Sequence, residues 1–176
     1  MTGPAFDPQA MLAVLDRHHV KYVLVGGFAA NVHGAMRPTK DIDVAPATTT
    51  QNLTRLADAL RELNVGIRVD ELPEGLPFDT SAAALKGMAI LNLRSQFGDL
   101  DLTFSPAGFP AGYADLIGRA TEHVVNGLTI HVAALDDVIT SKATANRPKD
   151  QDALPELMRL ARQAARDREG GSSAVP

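Results

Sequence analysis

Cysteine is absent from this chain, which excludes a disulfide framework and a thiolate zinc site. Tryptophan is absent too. With two tyrosines and six phenylalanines there is no obvious aromatic platform for stacking nucleic-acid bases. Positive charge is not in surplus: 17 Lys and Arg stand against 21 Asp and Glu, a net charge of −4. That argues against a strongly basic, general nucleic-acid binder and leaves room only for a local basic patch. No apolar run approaches the roughly 20 residues that span a bilayer. The opening segment, Met1 to Pro8, lacks the basic start and apolar stretch of a signal peptide. These absences predict a soluble, cytoplasmic protein that works away from membranes.

What is present suits one domain with a helical appendage: 176 residues, of which 45% are hydrophobic. Helical spacing is clear at Met11, Leu12, Val14 and Leu15 after Asp7-Pro8, and again from Leu53 to Leu63. Strands are predicted over 20–25, 41–44, 65–69, 88–93 and 99–104. Asn126-Gly127 between two apolar runs predicts a hairpin. The segment 71–81, with two prolines and a glycine, reads as an irregular surface loop. Residues 135–146 and 151–168 read as two closing helices. The sum is an α/β (α+β) chain, a mixed sheet with helices packed on it. Residues 1–134 form its core and 135–168 a C-terminal helical segment of the same domain. The small-residue tail 169–176 is expected to be disordered.

The most informative stretch runs Tyr22-Val23-Leu24-Val25-Gly26-Gly27, then Ala29, Ala30, His33, Gly34, Arg37, Thr39, Asp41-Ile42-Asp43-Val44. An apolar strand enters a glycine turn and a short helix that ends at a glycine, and a second strand follows. Strand side chains alternate, so Asp41 and Asp43 share one face while Ile42 and Val44 enter the core. Carboxylates two residues apart on a strand, roughly 6–7 Å at the backbone, can converge on divalent ions. The Gly26-Gly27 turn offers backbone N–H groups to an anion. Arg37 can clamp phosphate oxygens, and Thr39 can orient an aspartate or the loop. Metal-binding acids beside a phosphate-binding turn point to phosphoryl or nucleotidyl transfer.

Two further regions carry candidates. Asp99 and Asp101 alternate with Leu100, Leu102 and Phe104, so both lie on one face of their strand and spacing alone does not choose between them. Near the end, Lys142, Arg147, Lys149, Asp150 and Asp152 form a mixed cluster. Its cations can neutralise a triphosphate and the charge that grows on leaving pyrophosphate. His18, His19 and His131 show no metal-ligand spacing.

In this order, Gly-Gly-x-Ala, His-Gly, Arg-x-Thr and Asp-Ile-Asp resemble the signature of the polymerase-beta-type nucleotidyltransferase superfamily. The Arg-x-Thr-x-Asp-Ile-Asp portion resembles its small bacterial members. These include toxins of the abortive-infection type and, more loosely, the aminoglycoside and lincosamide nucleotidyltransferases. The resemblance implies a mixed-sheet nucleotidyltransferase core and transfer of a nucleoside monophosphate from ATP or another triphosphate to a hydroxyl. It implies two Mg²⁺ ions, with Mn²⁺ as the alternative, on Asp41, Asp43 and a third acid, for which Asp101 matches the pattern better than Asp99. It makes Lys142 the phosphate contact and Asp150 the counterpart of an active-site aspartate, with Asp152 close behind. It implies a toxin–antitoxin setting, with tRNA or protein as acceptor and an antitoxin as partner. A small antibiotic-type acceptor and a non-catalytic nucleotide-binding module are the alternatives. Gly27 stands where many members have serine, so a hydroxyl contact to phosphate is missing.

Overall fold

The computed structural model describes residues 5–171. Residues 1–4, where the absence of a signal peptide is expected, and residues 172–176 of the expected tail lie outside the described residues.

Helix α1 (Pro8–Arg17) opens the fold. Asp7 caps it, its Oδ1 accepting from the Ala10 N–H at 3.0 Å, and Pro8 occupies the first turn. Strand β1 (Tyr22–Val25) runs straight into α2 (Gly26–Val32), and β2 (Asp41–Pro46) returns beside it. Helix α3 (Thr50–Glu62) is capped by Thr49 and buries Leu53, Leu56 and Leu60. Then come β3 (Gly66–Val69), β4 (Leu72–Leu76), the single turn α4 (Ala82–Leu85), β5 (Ile90–Ser95) and β6 (Gly98–Thr103). The chain closes with α5 (Tyr113–Leu116), β7 (Thr121–Val125), β8 (Leu128–Val132), α6 (Leu135–Ala145) and α7 (Pro148–Gly171).

The strands form one eight-stranded mixed sheet in the order β4-β3-β5-β6-β2-β1-β8-β7. Two pairings are parallel, β2 with β6 and β1 with β8. The rest are antiparallel. The core lies where the apolar faces of the central strands meet the helices. Leu24, Ile42, Val44, Leu100 and Leu102 are all buried there, with Leu56 and Leu60 of α3. Burying such side chains stabilises by about 1.5–3 kcal/mol each before chain entropy is counted. Asn52 is the one buried amide in this layer. It accepts from the Lys21 N–H at 2.7 Å and donates to Lys21 O at 2.9 Å and Ala47 O at 2.7 Å, tying α3 to the edges of β1 and β2.

The Asn126-Gly127 hairpin forms as the pattern predicts, with both residues at positive φ. Segment 71–81 departs from the expected loop, because Leu72–Leu76 pairs with β3 as the outermost strand. An edge strand tolerates the missing N–H of Pro73, which is why proline hid it. Helix α7 starts at Pro148 and continues to Gly171, three residues into the segment read as tail. No helix among the described residues is long and apolar enough to cross a membrane.

Candidate active site

Register decides what meets what. In the parallel β2–β6 pair, Asp41 lies beside Asp99 and Asp43 beside Asp101. In the antiparallel β1–β2 pair, Val25 lies beside Asp43, so Gly26 and the start of α2 rise next to that carboxylate. Ile42, Val44, Leu100 and Leu102 point to the core, and the alternation turns the aspartates to the opposite face.

Over that face lies a cavity of about 310 Å³. It is lined by Gly26, Gly27, Arg37, Thr39, Asp41, Asp43 and Asp101 from the sheet side, and by Lys142 of α6, Arg147 of the turn after it and Lys149 of α7. Ten of the residues singled out from sequence therefore share one space. Asp150 does not line it. Asp150 is fully buried behind the cations, accepting from Arg147 Nε at 2.6 Å and from Lys142 Nζ at 3.4 Å. Asn146, left-handed at φ 51°, ends α6 and turns the chain so that Arg147 and Asp150 face each other.

Gly26 is constrained twice. Its φ is +68°, and a Cβ placed there would meet Asp43 Oδ2 at 2.2 Å. Both facts require glycine. Gly26→Ala is expected to displace the Asp43 carboxylate and cost about 1–3 kcal/mol of stability. Chemical denaturation checks the cost, and loss of nucleotide transfer checks the displacement. At the cavity rim, Thr39 Oγ1 donates to Asp41 Oδ1 at 2.8 Å and holds that carboxylate toward the cavity.

The electrostatics are those of crowded anions. Burial, reinforced by the charges of Asp41 and Asp101, raises Asp43 to about 7, against the opposing pull of Lys149 and Lys142. Burial also raises Asp101, partly offset by Arg68. Burial pushes Asp150 up, but the hydrogen bond and charge of Arg147, with Lys142, outweigh it and hold that carboxyl below the usual range.

Three lining or neighbouring residues escape the sequence reading. Lys40 adds a cation to the rim. Glu156 of α7 accepts from the Met36 N–H at 2.9 Å and ties the loop carrying Arg37 and Thr39 to the C-terminal helix. Arg68 of β3 reaches over β5 to both carboxylates of β6, with Nη1 at 3.2 Å from Asp99 Oδ2 and Nη2 at 3.2 Å from Asp101 Oδ2. Asp99 also accepts from Arg94 Nε at 2.8 Å. Asp99 thus sits between two guanidinium groups and lines no part of the cavity, whereas Asp101 does. The Arg94–Asp99 pair had a readable signal, because a turn at Gln96-Phe97 sets residues 94 and 99 opposite each other. Arg68 had none.

Among the described residues no group of three or more His, Cys, Asp or Glu side chains forms a ready-made metal cage. The donors nevertheless suit a hard divalent ion completed by substrate. Mg²⁺ is commonly held by one or two carboxylates plus substrate phosphates. Asp101 Oδ1, 3.1 Å from Arg68 Nη2 but outside hydrogen-bonding geometry, is buried with no hydrogen-bond partner. A buried carboxylate oxygen that accepts no hydrogen bond, beside two more carboxylates, has capacity left for a cation besides Arg68.

Solved structures with this fold support the architecture. The lincomycin-bound lincosamide antibiotic adenylyltransferase LnuA matches at 15% identity and TM-score 0.58, over 89% of this chain and 99% of that one. The antibiotic-resistance factor ANT(2'')-Ia matches at 15% identity and TM-score 0.52, over 94% and 92%. A nucleotidyltransferase from Thermotoga maritima, TM1012, matches at 13% identity and TM-score 0.52, over 89% and 96%. No curated protein matches the chain. The model of one family, described as nucleotidyltransferase of unknown function (DUF6036), matches residues 6–159, and the chain belongs to that family of nucleotidyltransferases.

Proposed function

We propose that the enzyme moves a nucleoside monophosphate from a nucleoside triphosphate to a hydroxyl group of a small-molecule acceptor and releases pyrophosphate. The observation that carries this reading is the convergence of Asp41, Asp43 and Asp101 on one cavity with the Gly26-Gly27 turn and a bank of cations.

The residues divide the work. Lys142, Arg147 and Lys149, with Arg37, face the triphosphate and offset its charge. The backbone N–H groups at Gly26 and Gly27 have no helical acceptor and face the same anion. Asp41, Asp43 and Asp101 would hold two Mg²⁺ or Mn²⁺ ions, which when bound neutralise phosphate charge and make the acceptor hydroxyl easier to deprotonate. Asp101 takes the hydroxyl proton as that oxygen bonds to the α-phosphorus. The bond from the α-phosphorus to the bridging oxygen breaks, and pyrophosphate leaves carrying the electron pair. Lys142 and Arg147 stabilise the charge growing on it. Asp150 contacts no substrate in this scheme. It holds Lys142 and Arg147 in place.

The two antibiotic-modifying proteins with this fold, and the net charge of −4, favour a small acceptor. A second reading has its own observation: Arg37, Lys40, Arg147 and Lys149 are all exposed around one mouth. Such a rim suits a polyanion, as in a toxin of a toxin–antitoxin pair acting on tRNA, with protein as the other macromolecular acceptor.

The test is incubation of the protein with each α-labelled nucleoside triphosphate and Mg²⁺. Separate tubes hold a panel of lincosamides and aminoglycosides, total tRNA, and a cell lysate. Labelled small molecule supports the first reading, while label on RNA or protein moves the assignment to the second. No label on any acceptor would sink both.

A further inference from the structure

We propose that Arg68 is a positioning residue for the third carboxylate: an internal cation that holds Asp101 when no divalent ion does, and that competes with such an ion for it. The inference rests on the metal-dependent reading above. It starts from reach. Arg68 stands on β3, and β5 lies between β3 and β6 in the sheet, so the guanidinium crosses a whole strand to touch Asp101. A long side chain gives up rotamer freedom to do this, and an exposed ion pair would not repay it. This pair is not exposed: the Arg68 and Asp101 side chains are 24% and 13% accessible.

The arrangement is a chain of alternating charge. Arg94 bonds Asp99, Asp99 pairs with Arg68, and Arg68 donates to Asp101. Asp99 therefore anchors the guanidinium from one side, and only part of Arg68's charge is spent on Asp101. Arg68 satisfies Asp101 Oδ2, and Oδ1 is left without a hydrogen bond. Oδ1 lies 3.1 Å from the same Nη2, so one nitrogen serves both oxygens and the carboxylate is held in orientation without being saturated. Without Arg68, Asp101 would face Asp41, Asp43 and Asp99 with no adjacent cation except those across the cavity. Like charges at such range repel strongly where solvent is scarce.

The two duties pull in opposite directions, and that makes the assignment testable. The probe is Mn²⁺ alone, titrated into metal-free protein and followed by the paramagnetic signal of the free ion. Removing Arg68's charge leaves the acid cluster more negative, so Arg68→Ala should bind Mn²⁺ about ten-fold more tightly. The same variant should transfer nucleotide label at least about ten-fold more slowly, with the apparent KM for the triphosphate within about three-fold, because the triphosphate cations lie on the other side of the aspartates. Arg68→Lys should restore Mn²⁺ affinity to that of the unaltered protein and recover part of the rate. Arg68→Gln, which keeps most of the side-chain length, serves if the alanine variant does not fold. Mn²⁺ affinity that is unchanged, weakened or undetectable in the neutral variants overturns the proposal. So does a rate loss that Arg68→Lys leaves wholly unrepaired. If the unaltered protein transfers no label, the functional reading falls, and the Mn²⁺ titration still decides the role of Arg68.

Discussion

Asp43→Asn should abolish nucleotide transfer and, in the same protein, raise the stability of the metal-free fold at alkaline pH. The activity loss follows from its position between Gly26 and Asp101, at the centre of the proposed ion site, and is expected to be at least about a hundred-fold to a thousand-fold. The stability gain follows from its titration. Folding raises Asp43 from 3.8 to about 7, so between those values the folded chain holds a proton that the unfolded chain releases. An acid raised in this way weakens the fold as pH rises from about 4 to about 7, and the penalty is complete above that range. Asparagine carries no such penalty. At pH 8 in EDTA the variant is expected to be more stable by about 2–4 kcal/mol, with the gain shrinking steadily as pH falls toward 4. Denaturant titrations across that range measure it. Mg²⁺ should narrow the gap by stabilising the unaltered protein alone. A variant as active as the unaltered protein, or one whose stability gain over it is smaller at pH 8 than at pH 5, would contradict the site assignment and the electrostatics respectively.

Asp150→Ala is the opposite case, a carboxylate on which the fold depends. Asp150 is fully buried and answers two cations. Arg147 is more than half exposed and can turn to water, but the Lys142 side chain is only 15% accessible and would be left with its charge unpaired. Breaking a buried pair by removing one partner costs about 3–5 kcal/mol, and the mobility of Arg147 places this loss at the lower end. Transfer should fall as well, mainly through a higher KM for the triphosphate, because both cations lose their hold. The pH signature is reversed from Asp43. Folding lowers the Asp150 carboxyl, so its contribution is fully present above the ordinary aspartate range and is lost as pH falls through the depressed folded value. Acid unfolding of the unaltered protein should therefore include a step missing from the variant. Parallel acid titrations followed by circular dichroism would reveal it, and coincident curves would contradict it.

Local pattern made much of this molecule readable from sequence. Asp41 and Asp43 share a face because a strand has period two, and the glycines before them announce the turn at which α2 begins. The mixed sheet with flanking helices follows from the same alternation and from the spacing of the leucines in α3. What stayed hidden is non-local. Asp99 and Asp101 are equivalent along their own strand. Arg94, set opposite Asp99 by hairpin register, and the cavity, which only Asp101 lines, distinguish them, while Arg68 reaches both from two strands away. No periodicity encodes that reach. Pro73 and Gly75 conceal β4, because both break a central strand and are tolerated at an edge. The resemblance makes Asp150 an active-site aspartate, and its full burial behind Lys142 and Arg147 has no signal in the sequence.

The parallel pairing of β2 with β6 has a consequence for how the chain reaches its final form. The β5–β6 and β7–β8 hairpins join neighbours in sequence and close quickly, but β2 meets β6 only after α3, β3, β4, α4 and β5 have been threaded between them. Long-range closure of this kind is slow, since the entropy of the intervening loop is lost before the contact rewards it. The aspartates of β2 and β6 therefore stay apart until that closure, where apolar contacts such as Ile42 with Leu100 must overcome their repulsion. Until then the proposed ion and nucleotide would have nothing to grip. On the proposed function, ligand capture reports closure of this pair, and Mg²⁺ with a triphosphate would favour it.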